Sequence, residues 1–130
     1  VDSEEKGFEG ERVLDDDPAT FWHTPWIGRA PAFPHEIVIE FRSPGSYRGI
    51  TLLPRQDGNR TGSIRQFRVY TGDDGLHWGE PVAEGTLDPG TGLSTILFPG
   101  PVQGRYLRFV AESGHAEGPW ASLAEMGIVE

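Results

Sequence analysis

The most informative part of the sequence is Asp15-Asp16-Asp17-Pro18-Ala19-Thr20-Phe21-Trp22-His23-Thr24-Pro25-Trp26, which combines three carboxylates with two indoles and an imidazole. The stretch has no apolar periodicity, which indicates a loop that runs into the start of a strand. Asp15 and Asp17 point the same way in extended backbone, and Thr20 adds a hydroxyl and a carbonyl. Oxygen ligands on an irregular backbone suit Ca²⁺, but Asp-Asp-Asp-Pro also fits a solvated turn. The Gly and distal Glu of an EF-hand loop are missing, so the spacing alone leaves both interpretations open.

Length and composition predict a single turn-rich β domain. A chain of 130 residues is long enough for one core, and its 18 glycines, 11 prolines and 36% hydrophobic residues are typical of an all-β domain. The absence of cysteine excludes a disulfide framework and a thiolate metal site. A net charge of −9 argues against nucleic acid and anionic membranes as partners. No apolar run approaches the length of a bilayer span.

Short apolar segments separated by turn residues predict the strands. Ile37, Ile39 and Phe41 alternate in the way that a half-buried strand requires. The same reasoning predicts strands at 37–41, 48–54, 64–71, 82–87, 95–98, 105–111 and 126–129, with turns at 43–46 and 72–75. No window shows a sustained helical apolar stripe, so we expect a β-sandwich or a barrel.

The stretch quoted above resembles the pattern Asp-Gly-Asp-x-x-Thr-x-Trp-His-Thr-x-Trp of discoidin domains, also called coagulation factor 5/8 C-terminal-type domains. It is most similar to their bacterial branch, the family 32 carbohydrate-binding modules. The resemblance continues in the same order at 34–39, 53–58, 70–75, 105–108 and 120–125. Asp16 stands where the family usually has Gly, and Asp tolerates a positive φ better than most residues do.

The resemblance implies a jelly-roll β-sandwich of roughly eight main strands. Residues 1–130 would form one domain, which we expect to be part of a longer protein, and residues 1–13 would belong to the first strand and a ligand-facing loop. The resemblance also implies a structural Ca²⁺ that ties the first loop to the C-terminal strand. Its ligands would be the carboxylates of Asp15 and Glu125, the hydroxyl of Thr20, and the carbonyls of Arg12, Asp17, Thr20 and Ala124.

Family members that bind galactose-type sugars do so among loops at one end of the sandwich. The matching positions here are Glu9, His23, Trp26, Arg55, Asn59 and Trp120. Arg offers a fork of donors, His, Glu and Asn exchange hydrogen bonds with hydroxyls, and an indole covers the C–H face of a pyranose. Arg55 is the strongest of these candidates, because it follows a strand end and precedes a polar loop. Glu9 is the weakest, because Glu4, Glu5 or Glu11 could take its place.

The roles of the other aromatic and imidazole residues follow from their surroundings in the sequence. We expect Trp22 in the core, Trp26 either in the core or in the site, and His35 and His77 in structural roles. Asn59-Arg60-Thr61 also forms a glycosylation sequon, which matters only in a eukaryotic secretory pathway.

The resemblance implies a non-catalytic module that binds terminal galactose-type glycans and targets an appended glycoside hydrolase. We expect a monomeric module of a multidomain enzyme that is secreted or displayed at the surface of a bacterial cell. The alternative is a discoidin-type adhesion domain for a protein or a lipid head group, but the loops here are polar and acidic and cysteine is absent. An enzyme that pairs His23 with Asp15 or Glu125 is a third possibility. No nucleophile, base and orienting group occur at a recognisable spacing, so we predict no catalysis.

Overall fold

The computed structural model describes the backbone of residues 1–130 and the side chains of all of them except Pro44. The chain forms one 3₁₀ turn, at Gly10–Leu14, and otherwise strands and loops. The strands are β1 (Trp22–His23), β2 (His35–Leu53), β3 (Gln66–Gly72), β4 (Ala83–Thr86), β5 (Ser94–Ala111), β6 (Ser122–Leu123) and β7 (Glu125–Val129). Within this described chain, no helix is long and apolar enough to cross a membrane.

The long strands β2 and β5 lie next to each other in the larger of the two sheets. The larger sheet has the order β4-β3-β5-β2-β7, and β1 and β6 form a second sheet. The first half of β2 pairs with the second half of β5, whereas around Ile50 it pairs with Ile96 of β5 and Ile128 of β7. The register shifts twice between Glu40 and Gly49. Each long strand therefore has two pairing regions, which are separated by this irregularity.

One hydrophobic core fills the space between the layers. Trp22 of β1 and Leu123 of β6 pack there with Phe109 of β5 and with Ile37 and Ile50 from the two halves of β2. The indole N–H of the fully buried Trp22 donates to the backbone carbonyl of Ser3 at 2.9 Å. The predicted all-β sandwich and the predicted core position of Trp22 are both confirmed.

The turn predicted at 43–46 is wrong. The strands predicted at 37–41 and 48–54 are one strand, β2, and those predicted at 95–98 and 105–111 are likewise joined in β5. Gly45 and Ser46 pair with Gly104 and Gln103, so the chain bends at this point without reversing. Glycine and proline therefore mark an irregularity in the register here, which is one of their known positions in strands.

The N-terminal segment also differs from the expectation of a first strand. Its β pairing is limited to a bridge between Glu5 and Phe8, and the 3₁₀ turn follows. This segment still reaches the core, because Val13 is fully buried. It lies beside β1, since the amide of Glu5 donates to the carbonyl of His23 and the amide of His23 to the carbonyl of Phe8.

Candidate functional site

An open cavity of about 600 Å³ lies where the segments around β1, the loop after β2 and the segment before β6 meet. Its walls are formed by Phe8, Ala19, Phe21, His23, Trp26, Arg55, Asp57, Asn59, Thr61 and Trp120. Aromatic rings and a few polar groups therefore share one concave surface, which is the usual composition of a small-molecule site.

Arg55 is fixed in the cavity by contacts on three sides. Its Nε and one Nη donate to the two carboxylate oxygens of Asp57 at 2.9 and 2.6 Å, and its other Nη donates to the carbonyl of Thr61 at 3.2 Å. The guanidinium lies over the ring of Phe21, 4.2 Å from the centroid, and the Arg55 side chain is only 11% exposed. These contacts use three of the five N–H groups of arginine and leave two for a ligand. The hydrogen bonds from Arg55 also lower the pKa of Asp57, so that this carboxylate stays charged.

His23 presents a hydrogen-bond acceptor to the same cavity. Its Nδ1 lies 2.6 Å from the carbonyl of Thr24 and must carry the proton, because a carbonyl can only accept. Burial lowers the pKa of His23, and the nearby positive charge of Arg55 lowers it further. The Thr24 carbonyl and the carboxylates of Glu5 and Asp57 oppose this shift only in part. The ring is therefore neutral at pH 7, and its Nε2 carries a lone pair.

The apolar wall of the cavity is a cluster of aromatic rings. Trp26 packs edge-on against His23, with centroids 4.6 Å apart, and against Phe8 at 5.2 Å. Phe8 in turn contacts Phe21 at 5.0 Å. Trp26 is 40% exposed, so an indole surface remains accessible beside the polar groups. Of the two positions that the sequence left open for Trp26, the structure supports the cavity over the core.

A second group of oxygen atoms surrounds Asp15, outside the cavity. One carboxylate oxygen of Asp15 accepts the amide N–H of Asp17 at 3.0 Å, and the other contacts the hydroxyl of Thr20. The Thr20 hydroxyl also lies 3.1 Å from the carbonyl of Asp17. The hydrogen bond from Thr20 is the main reason why the pKa of Asp15 is lowered, followed by the Asp17 amide. Asp16, which lies between Asp15 and Asp17, has a φ of 58°, a conformation that Asp tolerates better than most residues do.

Glu125 brings a second carboxylate to this group from the start of β7. Its Oε1 is buried and has no hydrogen-bond partner among the described residues. Burial and the adjacent carboxylate of Asp15 raise the pKa of Glu125 to about 7. No three or more acidic, His or Cys side chains form a metal cluster within the described chain, so backbone and hydroxyl oxygens would have to complete a site. A buried, partnerless oxygen beside a second carboxylate fits a hard divalent cation, which would supply the missing partner and the opposite charge.

A sequence model of the F5/8 type C domain matches residues 1–126. The chain belongs to this family. Two relatives contain a similar stretch: galactose oxidase of Gibberella zeae is 36% identical over 99% of this chain, and a sialidase of Micromonospora viridifaciens is 33% identical over 98%. The F5/8 type C domain spans only 19% and 20% of those two proteins.

Solved structures that resemble this F5/8 type C domain include family 32 carbohydrate-binding modules. The module of C. perfringens NanJ, in complex with galactose, is 28% identical with a TM-score of 0.85, over 97% of this chain and 88% of its own. A second Clostridium perfringens module, in complex with GalNAc-β-1,3-galactose, is 25% identical with a TM-score of 0.89, over 98% and 91%. The predicted family and the predicted sandwich fold are therefore confirmed.

The F5/8 type C domain brings together five of the six residues predicted for a sugar site, namely His23, Trp26, Arg55, Asn59 and Trp120. Glu9 lies outside the cavity. Its carboxylate contacts the amide of Gly7 and lies 3.7 Å from the guanidinium of Arg12, so it is held by its own loop. Glu5, one of the residues that could have replaced it, is buried and accepts the amide of Ile27 at 3.1 Å.

Sequence reasoning missed Asp57, Phe8 and Phe21 as cavity residues. Asp57 lies two residues after Arg55, and a carboxylate at this distance from an arginine is a recognisable signal for a local ion pair. Phe8 and Phe21 are large apolar residues that lie next to polar loop segments. An apolar residue in such a position signals either a core contact or a ligand wall.

Proposed function

We propose that this F5/8 type C domain is a non-catalytic carbohydrate-binding module that holds a terminal galactose-type sugar in the cavity. In this proposal it targets an appended, secreted glycoside hydrolase or related enzyme to its glycan. One observation carries the proposal: Arg55, with two N–H donors that have no other partner among the described residues, and His23, with the acceptor Nε2, line the same aromatic-walled cavity. The galactose and GalNAc-β-1,3-galactose complexes of the similar modules support the choice of sugar class.

The arrangement suits a sugar because each hydroxyl is both a donor and an acceptor. A hydroxyl placed between Arg55 and His23 would accept from the guanidinium and donate to the imidazole, and Asn59 can do either. The C–H face of the pyranose would lie against Trp26. The 4-hydroxyl is axial in galactose and equatorial in glucose, so the hydrogen bonds of this group point in different directions in the two sugars.

We expect weak binding, with a dissociation constant of roughly 0.1–1 mM, or about −4 to −5.5 kcal/mol. A sugar exchanges hydrogen bonds to water for hydrogen bonds to protein, so the net gain from each is small. The cavity is open and offers few polar groups, so no other interaction adds a large contribution to the binding free energy. Multivalent attachment to a glycan surface would raise the apparent affinity without any new contact.

In this proposal the polar groups of the cavity bind the sugar and perform no catalysis. Nδ1 of His23 donates to a backbone carbonyl, so no carboxylate orients this ring as a general base. The charged carboxylate of Asp57 forms an ion pair with Arg55 and so positions the guanidinium. The similar solved structures are likewise described as carbohydrate-binding modules.

Removal of Arg55 tests the proposed function. Arg55→Ala should abolish measurable galactose binding in titration calorimetry, because a charged donor contributes about 1.5–3 kcal/mol to a hydrogen bond and the wild-type affinity is already weak. Arg60→Ala is the matched control, because Arg60 lies on the same loop, donates to the Pro89 carbonyl and does not line the cavity. Equal galactose affinity in wild type and Arg55→Ala, with both folded, would overturn the proposal. Binding to liposomes and not to any galactoside would point instead to an adhesion domain.

We also propose that a structural Ca²⁺ is held by Asp15, Glu125 and the neighbouring Thr20, with carbonyls of Arg12, Asp17 and Ala124. The support is the buried, partnerless Oε1 of Glu125 beside Asp15. When bound, the ion would link the loop before β1 to the start of β7 and neutralise two adjacent carboxylates. Its role in the proposal is to stabilise the fold, and sugar is bound by the cavity residues alone.

A further inference from the structure

His35, the first residue of β2, is fully buried, and both of its ring nitrogens face oxygen atoms. Nδ1 lies 3.2 Å from the carboxylate of Asp2, and Nε2 lies 2.6 Å from the carbonyl of Pro119. Pro119 directly precedes Trp120, which lines the cavity. The ring thus connects the N-terminal segment to the segment that carries one wall of the sugar site.

Both contacts are satisfied together only by a doubly protonated ring. A carboxylate and a carbonyl can only accept, so each nitrogen must donate, which requires the imidazolium form of His35. A neutral ring would leave one nitrogen lone pair facing an oxygen lone pair in a buried site, which is costly. Asp2 is itself held in place, because its second carboxylate oxygen accepts the amide of Glu36 at 3.0 Å.

The groups packed around His35 leave Asp2 as its charged neighbour. From the preceding segment, the ring of Phe33 packs on the imidazole at 4.8 Å between centroids. From β5, the residue opposite His35 is Ala111. The carboxylate of Glu36 is engaged by Arg108, whose Nε donates to it at 2.5 Å. Protonation of His35 is therefore governed by one carboxylate and one carbonyl.

Trp120 depends on its backbone for its position. Its indole Nε1 is buried and has no hydrogen-bond partner among the described residues, so no indole hydrogen bond fixes the ring. Close packing does constrain it from one side: a Cβ on Gly118 would lie 2.3 Å from the ring, and the φ of 102° at this glycine is unfavourable for other residues. Polar contacts hold the backbone on both sides of Trp120: His35 donates to the Pro119 carbonyl at 2.6 Å, and the amide of Ala121 donates to the hydroxyl of Thr24 at 3.1 Å. The contact with His35 is the one of these two that depends on a titratable group.

We propose that His35 is a positioning residue of the sugar cavity, whose doubly protonated ring joins Asp2 to the Pro119 carbonyl and so holds Trp120 in the cavity wall. The affinity for sugar then decreases when His35 loses a proton. The binding readout of this inference rests on the proposed function, whereas the position of Trp120 can be followed without any sugar.

The direction of the pH dependence follows from the surroundings of His35. Burial lowers its pKa, but the hydrogen bonds to Asp2 and Pro119 and the charge of Asp2 outweigh burial, so the pKa is raised from its ordinary value. Because the pKa of His35 is raised in the folded state, the stabilising contribution of its protonated ring is fully present below the unfolded pKa of about 6.5. The contribution is lost as the pH rises through the raised pKa. The cavity wall should therefore loosen on the alkaline side.

The test compares wild type with Asp2→Asn, which keeps the shape of the side chain and removes its charge. The galactose affinity and the Trp120 indole NMR signal without sugar are both followed from about pH 6 to about pH 9. The Trp120 signal is assigned by its loss in Trp120→Phe.

In wild type the galactose affinity and the Trp120 signal should change with one midpoint. Asp2→Asn should move that midpoint to lower pH and weaken binding about fivefold at neutral pH, the equivalent of one hydrogen bond. Asp74→Asn is the matched control, because Asp74 pairs with the exposed His77 at 2.7 Å and lines no part of the cavity.

Each outcome separates the positioning role from the proposed function. A Trp120 signal that does not change with pH, or that responds identically in wild type and Asp2→Asn, would overturn the positioning role even if galactose binds. A Trp120 signal that follows the titration in a protein that binds no galactoside would support the positioning role and overturn the proposed function.

Discussion

At His23, the protonation state of one ring nitrogen determines whether the cavity can accept a hydroxyl hydrogen. Burial and the charge of Arg55 lower the pKa of this ring, so Nε2 remains an acceptor at neutral pH. We predict that galactose affinity falls as the pH drops through this lowered pKa, below the ordinary value of about 6.5. Titration calorimetry at a series of acidic pH values measures this. His35 does not contribute to that loss, because its raised pKa keeps it protonated there.

Two variants control this pH prediction. His23→Ala should bind more weakly at every pH, should lose the acid dependence and should prefer galactose over glucose less than wild type does. His77→Ala should behave as wild type, because His77 lies on an exposed turn and does not line the cavity. If the galactose affinity of folded wild type stays constant well below pH 6.5, Nε2 of His23 is not the acceptor.

The residues of the cavity could be predicted only in part. Arg55, His23 and Trp120 lie within stretches that resemble the family pattern, so their positions could be transferred from it. The contact between Arg55 and Phe21 could not be predicted, because it depends on how the loop after β2 meets the loop before β1. The position of Glu9 outside the cavity could not be predicted for the same reason: in an acidic segment, the backbone path decides which carboxylate faces the cavity.

At the scale of elements, β2 depends on a glycine next to its neighbouring strand. A Cβ at Gly49 would lie 2.3 Å from the carbonyl oxygen of Ile96, a backbone atom that can move only if the pairing of β2 with β5 is disturbed. Gly49→Ala should therefore lower the free energy of unfolding by about 1–3 kcal/mol, as overpacking typically does. Urea denaturation measures the loss.

Gly45, in the same strand, is the matched control for Gly49. A Cβ at Gly45 would meet nothing within 4 Å, so Gly45→Ala should change the unfolding free energy by less than about 0.5 kcal/mol. Equal unfolding midpoints for the two variants would show that the close approach at Gly49 does not restrict β2.

The same strand shows where the sequence was misleading. The turn residues at 43–46 predict a chain reversal, whereas the structure continues the pairing to β5 through Gly45 and Ser46. Local turn propensity cannot distinguish a reversal from a bend, because both use Gly and Pro to leave regular strand geometry. The alternating residues at Ile37 and Ile39 gave the correct strand because burial of one face requires that period.

At the scale of the whole molecule, contacts between distant parts of the chain bring the two ends together. Trp22 pairs with Leu123 in the smaller sheet, and the carboxylate of Asp15 lies near that of Glu125. These separations exceed a hundred residues, so forming these contacts closes long loops, and the entropic cost of that closure must be offset by interactions in the folded state. The sequence could predict the pair of Asp15 and Glu125 through the family pattern, whereas the link from Asp2 through His35 to Pro119 has no signature in the sequence.

A cation that binds this pair of carboxylates should stabilise the whole domain. Binding to the native state alone at a hundredfold excess over Kd adds about 2.7 kcal/mol, which moves the Tm of a domain of this size by roughly 10 °C. EDTA should therefore lower the Tm, excess Ca²⁺ should restore it, and Asp15→Ala should melt like the chelated protein in both conditions. Asp73→Ala is the matched control, since Asp73 is an exposed carboxylate on the turn after β3, and it should keep the full response to Ca²⁺. Identical melting curves with EDTA and with Ca²⁺, together with no bound metal by elemental analysis, would rule out the calcium site. Glu125 would then be a partly buried acid whose pKa of about 7 reflects burial and the adjacent carboxylate of Asp15 alone.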